Sequence, residues 1–256
     1  MSQLYDLKYG DDMFGVYALP VTEKHINNYE PIIEDLNKLR KYIVYETDIF
    51  ISIDESNPKQ KGLTKALKDN MFSREAYGYA ITIMATHVDV LTHELCHVID
   101  RVSTKNQFSK QKEFKPLLKL YKNEHAEEIK RIKASDKPAE EKQAFLKYWK
   151  DPYQNGNSET EIFARFCEYY LVEKEKLNIT VRPTTKSPLD RLCEKVYIEH
   201  KSQITEYFDT LFQQVHEKHN NEIVEQAHEN HNNEIVDIDF EESMYLVDSE
   251  YNSLPL

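Results

Sequence analysis

Residues 91–102, Leu-Thr-His93-Glu94-Leu-Cys96-His97-Val-Ile-Asp100-Arg-Val, constrain this chain more than any other stretch. Val88, Leu91, Leu95, Val98, Ile99 and Val102 recur at the spacing of one helical face and leave His93, His97 and Asp100 on another. On such a helix two histidines four apart lie about 40° apart in projection and roughly 6 Å apart along the axis. Both imidazoles therefore reach one ion, which is half of a metal site. Glu94 sits about 100° round from His93, near enough to deal with a water at that ion without being a ligand, as HExxH hydrolysis requires. The polar stripe is placed, and the fold has to bring a further ligand to it.

A hydrolytic zinc site commonly takes three protein ligands and keeps one position for water. Residues 158–172, Ser158-Glu159-Thr160-Glu161-Ile-Phe-Ala-Arg165-Phe-Cys167-Glu168-Tyr-Tyr-Leu-Val, read as a helix apolar nearly all round and therefore buried. Its exceptions, Glu161, Arg165 and Glu168, fall on one face, and charges on a buried helix call for a metal or an ion pair. Glu161 is the expected third ligand, with Glu168 and Glu159 as fallbacks. A competing reading is local: Ser158-x-x-Glu161 is also a capping box, in which the carboxylate only bonds back to the chain. The compact motif HExxHxxGxxH is closed, because Asp100 and Ser103 stand where it needs Gly and His.

The rest of the chain supplies a frame. Residues 22–40 have helical periodicity, and the β-branched and aromatic run 42–53 reads as strand. A polar break at 54–62, with Asn57-Pro58, separates it from a second strand at 77–85. That second strand ends just before the HExxH helix, whose start carries Thr86 and Asp89 as a capping pair. It is expected to line the cleft and to pair with an extended peptide by strand addition. Residues 105–150 form a basic helical insert whose apolar positions, Phe114, Leu117, Leu118 and Tyr121, then Ala144, Phe145, Tyr148 and Trp149, are expected core. A loop at 151–157 leads to the Glu161 helix, and beyond Pro188 an amphipathic helix carries Leu192, Val196, Ile204, Phe208 and Phe212 under the site.

Of the chain's net charge of −12, residues 216–256 contribute −10, from eleven acids and one lysine. The remaining −2 on residues 1–215 gives no basic face for a phosphate backbone, which argues against nucleic acid as a partner. The expected organisation is one domain over 1–215 and an acidic tail over 216–256, with a possible protein partner for the tail. The tail also holds a period-twelve repeat, His216-Glu-Lys-His219 and His228-Glu-Asn-His231, read as a recent duplication too short for a solenoid. Three cysteines without paired spacing indicate reduced thiols, and no run approaches the roughly 18 apolar residues of a membrane span. With no basic and apolar leader at the start, a cytoplasmic location is expected.

His93-Glu-Leu-Cys-His97-Val-Ile-Asp100, followed by Glu161-Ile-Phe-Ala-Arg-Phe-Cys-Glu, resembles the zincin pattern HExxHxxD with a later E-x-F-A helix. That pattern belongs to the anthrax lethal factor-like peptidases, the Pro-Pro endopeptidases, and the zincin-like domains of polyvalent proteins of phages and conjugative elements. The resemblance covers about residues 77–172 and is sharp at the two helices. It implies an α+β, zincin-like fold: a small mixed sheet packed on the HExxH helix and a second ligand-bearing helix, with a mostly helical C-terminal half. It further implies zinc ligands His93, His97 and Glu161, Glu94 as general base, and Asp100 behind the site, turned to a ligand histidine or to Arg165. Relatives place a tyrosine shortly before the third ligand to polarise the scissile carbonyl, and Tyr153 is nearest here. Cys96 stands where they usually have Gly. The implied activity is a zinc-dependent endopeptidase acting on a protein or peptide, against the alternative of a non-catalytic zincin-fold binding module of a mobile genetic element.

Overall fold

The alternation of large apolar side chains in two short strands gives one buried sheet face: Ile49 and Ile51 on one, Tyr79 and Ile81 on the next. The computed structural model describes residues 5–7, 16–19, 35, 38–39, 41–43, 48–53, 62–67, 78–83, 90–102, 107–150, 159–177, 187–217 and 220–221. Five strands, β1 (Tyr5–Leu7), β2 (Val16–Leu19), β3 (Asp48–Ile53), β4 (Gly62–Leu67) and β5 (Gly78–Ile83), form one sheet in the order β1-β2-β3-β5-β4. The sheet is mixed: β2, β3 and β5 run parallel, while β1 and β4 pair antiparallel with β2 and β5. Register sets Ile49 beside Tyr79, and Ile51 and Thr64 on either side of Ile81, so the buried residues share one face.

Two sequence expectations change here. Of the run 42–53, Asp48–Ile53 is strand and Tyr42 lies in a turn, where it and Ile43 are buried; residues 44–47 lie outside the described residues. The strand expected to accept a peptide, β5, is interior, with both ladder edges taken by β3 and β4. Among the described residues the sheet ends in β1 on one side and in β4 on the other, and β4 stands at a place where the sequence pattern predicts no strand. Of the expected 22–40 helix, only residues 35, 38 and 39 are described, and they are helical.

The helices come after the sheet: α1 (Leu91–Val102), α2 (Lys115–Ala134), α3 (Ala139–Lys150), α4 (Glu159–Glu175), α5 (Pro188–Glu199) and α6 (201–217), with a 3-10 turn at Phe108–Lys110. The fold is thus α+β with a mostly helical C-terminal half. No described helix is long and apolar enough to cross a membrane. The long amphipathic helix expected near the C-terminus is two helices, broken at His200, whose backbone leaves helical geometry. Ser187 caps α5: its hydroxyl accepts from the Asp190 N–H, and Asp190 accepts from the Ser187 N–H in return. By contact the chain divides into Met1–Phe212 and Gln213–Leu256, and α1, α4 and the whole sheet belong to the first unit.

Helix α1 lies against β4 and β5 on one side and α4 on the other. From Leu91 to Asp100 every residue but His93 is buried, so the expected polar stripe is enclosed as thoroughly as the apolar one. Phe163 of α4 is the hub of the aromatic core. Its ring meets Phe108 of the 3-10 turn at 6.2 Å, Phe114 at 5.3 Å and Phe208 of α6 at 5.4 Å. The supposed insert therefore contributes Phe108, Phe114, Leu117, Leu118 and Tyr121 to the main core, whereas Phe145 and Tyr148 of α3 are only half-buried. Phe163→Ala should lower stability by about 3–5 kcal/mol through lost burial and a residual cavity. A urea titration followed by tyrosine fluorescence would read this as a lower midpoint at unchanged slope.

Candidate metal centre

Helices α1 and α4 approach closely because the side chains between them are small. Cys96, Ala164 and Cys167 are fully enclosed, and the thiols of Cys96 and Cys167 are hydrogen-bonded across the contact. Burial raises the Cys96 pKa well above its ordinary value, so its sulfur behaves as a packing atom, and Cys167 is equally enclosed. Close approach brings the polar stripe of α1 onto that of α4.

His93 Nε2 lies 3.3 Å from Glu161 Oε2, and His97 Nε2 lies 3.3 Å from Glu161 Oε1. The rings are 4.9 Å apart and nearly perpendicular, at 87°, so both Nε2 atoms converge on the same carboxylate. One donor atom from each of the three residues fits within 4.8 Å of the others, which is the spacing of a set that can hold a metal ion. The sequence expectation that Glu161 joins the histidines is thereby met in space. Its carboxylate is turned to the imidazoles, while Ser158, its expected capping partner, lies outside the described residues.

Glu168 has another place. Its Oε2 lies 3.3 Å from His93 Nδ1, on the far side of the ring from Glu161. A carboxylate there holds the ring's orientation and makes Nε2 the more basic nitrogen. This task is expected of Asp100 from sequence, and the structure corrects it. Asp100 accepts from the Ser109 N–H at 2.7 Å and the Ser109 hydroxyl at 2.8 Å, which ties the C-terminal turn of α1 to the 3-10 turn. Arg165 does not pair with Asp100 either. Its Nη1 donates to Asp190 of α5, so the buried guanidinium locks α4 onto the capped end of α5.

Glu94 is buried at 6 % exposure and reaches back to the sheet. Thr64 of β4 donates its hydroxyl to Glu94 Oε2 at 2.6 Å, with the Glu94 carbonyl oxygen 3.1 Å away. Neither Thr64 nor Gly62 stands out from sequence. A Gly-x-Thr with period-two alternation, next to the HExxH helix in space but thirty residues away, carries no local signal. Tyr153, Thr86 and Asp89 lie outside the described residues, as do His219, the second copy of the tail repeat and nearly all of the acidic segment.

The charges explain how such a cluster survives burial. Desolvation alone would depress the His93 pKa, but Glu161 and Glu168 on its two nitrogens outweigh it and raise the pKa to about 9. For Glu161 burial pushes upward, and the two imidazoles overcome it and hold the carboxyl well below its usual range. The His93 proton offsets the two carboxylates beside it, Glu168, which is largely enclosed, and Glu161, whose side chain is 32 % exposed. Two imidazoles and a carboxylate are donors of the kind that hold a divalent transition metal once the imidazoles are neutral.

Compared with known proteins, the chain matches no family model, no curated protein and no solved structure.

The charge balance has two measurable consequences. A group whose folded pKa is raised stabilises the fold below its unfolded value and ceases to do so above its folded one. The melting temperature of metal-free protein should therefore fall as pH rises from 6.5 through about 9, the window in which folded His93 gives up its proton. Saturating zinc should flatten that profile, because the cation replaces the proton. Glu168→Gln should weaken zinc affinity about 10–100-fold while leaving one site per chain, as loss of an outer partner does elsewhere; competition with a chromophoric chelator measures it.

Proposed function

We propose that the chain is a zinc-dependent endopeptidase of the zincin type, with His93, His97 and Glu161 as metal ligands and Glu94 as general base. One observation carries this reading: the two imidazoles of an HExxH helix and a carboxylate from a helix some sixty residues away converge on one point. Coincidental histidines have no reason to meet a distant carboxylate in a buried interface. The resemblance to the lethal factor-like peptidases and Pro-Pro endopeptidases agrees with that assignment residue by residue.

A zinc ion bound there would supply a Lewis acid that acidifies water and polarises a carbonyl. The chain's own residues do the rest. Glu94 takes a proton from the water whose oxygen attacks the peptide carbon, then passes it to the amine nitrogen as the C–N bond breaks. Glu168 keeps the His93 ring in place throughout. An extended peptide has a ladder to join at β4, the edge strand that also touches the base, which favours a protein or peptide substrate over a small molecule.

Metal analysis of wild type should give one zinc per chain, and His97→Ala and Glu161→Ala should each abolish it. Glu94→Ala should keep the metal and slow cleavage of a proteome-derived peptide pool by at least about 100-fold, the usual scale of a lost general base. Retained stoichiometry in His97→Ala would refute the site. Zinc in the wild type without any cleavage would instead favour a zincin fold kept as a binding module.

A further inference from the structure

Glu94 is the one member of the HExxH constellation whose carboxylate is held from outside the two ligand helices. Its holder is β4, where Gly62 and Thr64 lie two apart and so face the same way, towards α1. Thr64 is 9 % exposed and donates to Oε2 at 2.6 Å, the shorter and charge-assisted of its two contacts with Glu94. Gly62 matters by what it lacks. A Cβ at that position would come within 2.9 Å of both Glu94 Cγ and Cδ, and closer still to Oε1. Any residue but glycine therefore displaces the carboxylate.

We infer that Gly62 and Thr64 form a cradle that fixes the orientation of the Glu94 carboxylate, which makes Thr64 a positioning residue for the base. The hydroxyl commits Oε2, and Oε1 packs over Gly62 without such a bond. The open Cα of Gly62 gives Oε1 its room. An uncradled glutamate has three side-chain torsions with which to leave the productive geometry. Because the cradle sits on the edge strand, the element that would pair with a peptide also sets the base, and substrate and base share one reference frame. This inference rests on the metallopeptidase reading above and adds to it a demand on two residues outside any known motif in the chain.

The test uses the full chain, zinc-loaded, as wild type, Thr64→Val, Thr64→Ser, Gly62→Ala and Glu94→Ala. Three quantities are read: zinc per chain, the dissociation constant for acetohydroxamate, and the rate on a proteome-derived peptide pool. Acetohydroxamate reports on the base without turnover, because it chelates the metal while its hydroxyl proton passes to the neighbouring carboxylate. All five proteins should hold one zinc. Thr64→Val, close in volume but without the hydroxyl, should lose about 10–100-fold in both hydroxamate affinity and cleavage, the scale of a misplaced catalytic group, and Thr64→Ser should regain most of it. In Gly62→Ala the clash falls on a flexible side chain, so the protein should melt as wild type does yet bind hydroxamate as weakly as Glu94→Ala. That variant decides the matter should Thr64→Val fail to fold.

Wild-type affinity and rate in Thr64→Val or Gly62→Ala, with wild-type protein zinc-loaded and binding hydroxamate, would overturn the cradle alone. Loss of zinc confined to Thr64→Val would overturn it too, since Thr64 would then act on the ligand helix. Wild-type protein without zinc would overturn the metal centre and the cradle together. Zinc-loaded wild type that binds hydroxamate but cleaves nothing would sink the peptidase reading and leave the hydroxamate comparison to decide the cradle.

Discussion

The contact between α1 and α4 governs the rest of the molecule, because it places ionisable groups where water cannot reach them well. Two imidazoles, two carboxylates and a guanidinium lie in or beside an interface otherwise made of Cys96, Ala164, Cys167 and larger apolar side chains. Isolated charges there would cost several kcal/mol each. They are tolerated because each lies beside a polar partner: Glu161 faces both histidines, Glu168 faces His93, and Arg165 is tied to Asp190. The small residues allow the helices to come close enough for those contacts.

Around that interface the fold supplies rigid supports from three directions. Asp100 fastens the end of α1 to the 3-10 turn through Ser109, and Phe108 of that turn reaches Phe163, two residues along α4 from Glu161. Asp190 caps α5 and accepts from Arg165, so the polar face of α4 is braced by the same residue that starts the next helix. On the opposite side the sheet delivers β4 to Glu94. The His93, His97 and Glu161 cluster is thus held by helix packing, by an aromatic core and by a strand.

Periodicity makes much of this readable in advance. The HExxH helix, the all-round apolar Glu161 helix, the two central strands and the apolar stripe of α2 all express patterns of 3.6 or 2 residues, and these report local structure directly. The pairing of Glu161 with the histidines is legible for a different reason, since a charged stripe on a buried helix has to be answered by something. Contact across sequence distance does not show in the same way. Glu168 reads from sequence only as a fallback ligand, and Asp100 has a role there only through the resemblance; the positions of His93 and Ser109 separate the two. The strand β4 escapes notice because Gly62-Leu-Thr-Lys-Ala-Leu67 has neither the β-branched density nor the bounding turns of its neighbours.

By itself, then, the sequence determined the two helices that carry the histidines and Glu161, the two central strands, and that the chain's acidity belongs to its last forty-one residues. These are properties of composition and short-range spacing. The tertiary structure alone decided that β4 and not β5 is the sheet edge, that Glu168 and not Asp100 stands behind His93, and that Gly62 and Thr64 cradle Glu94. Each of those depends on strand order or helix approach, which are set by the summed burial of many distant residues, and no short window of sequence contains that sum.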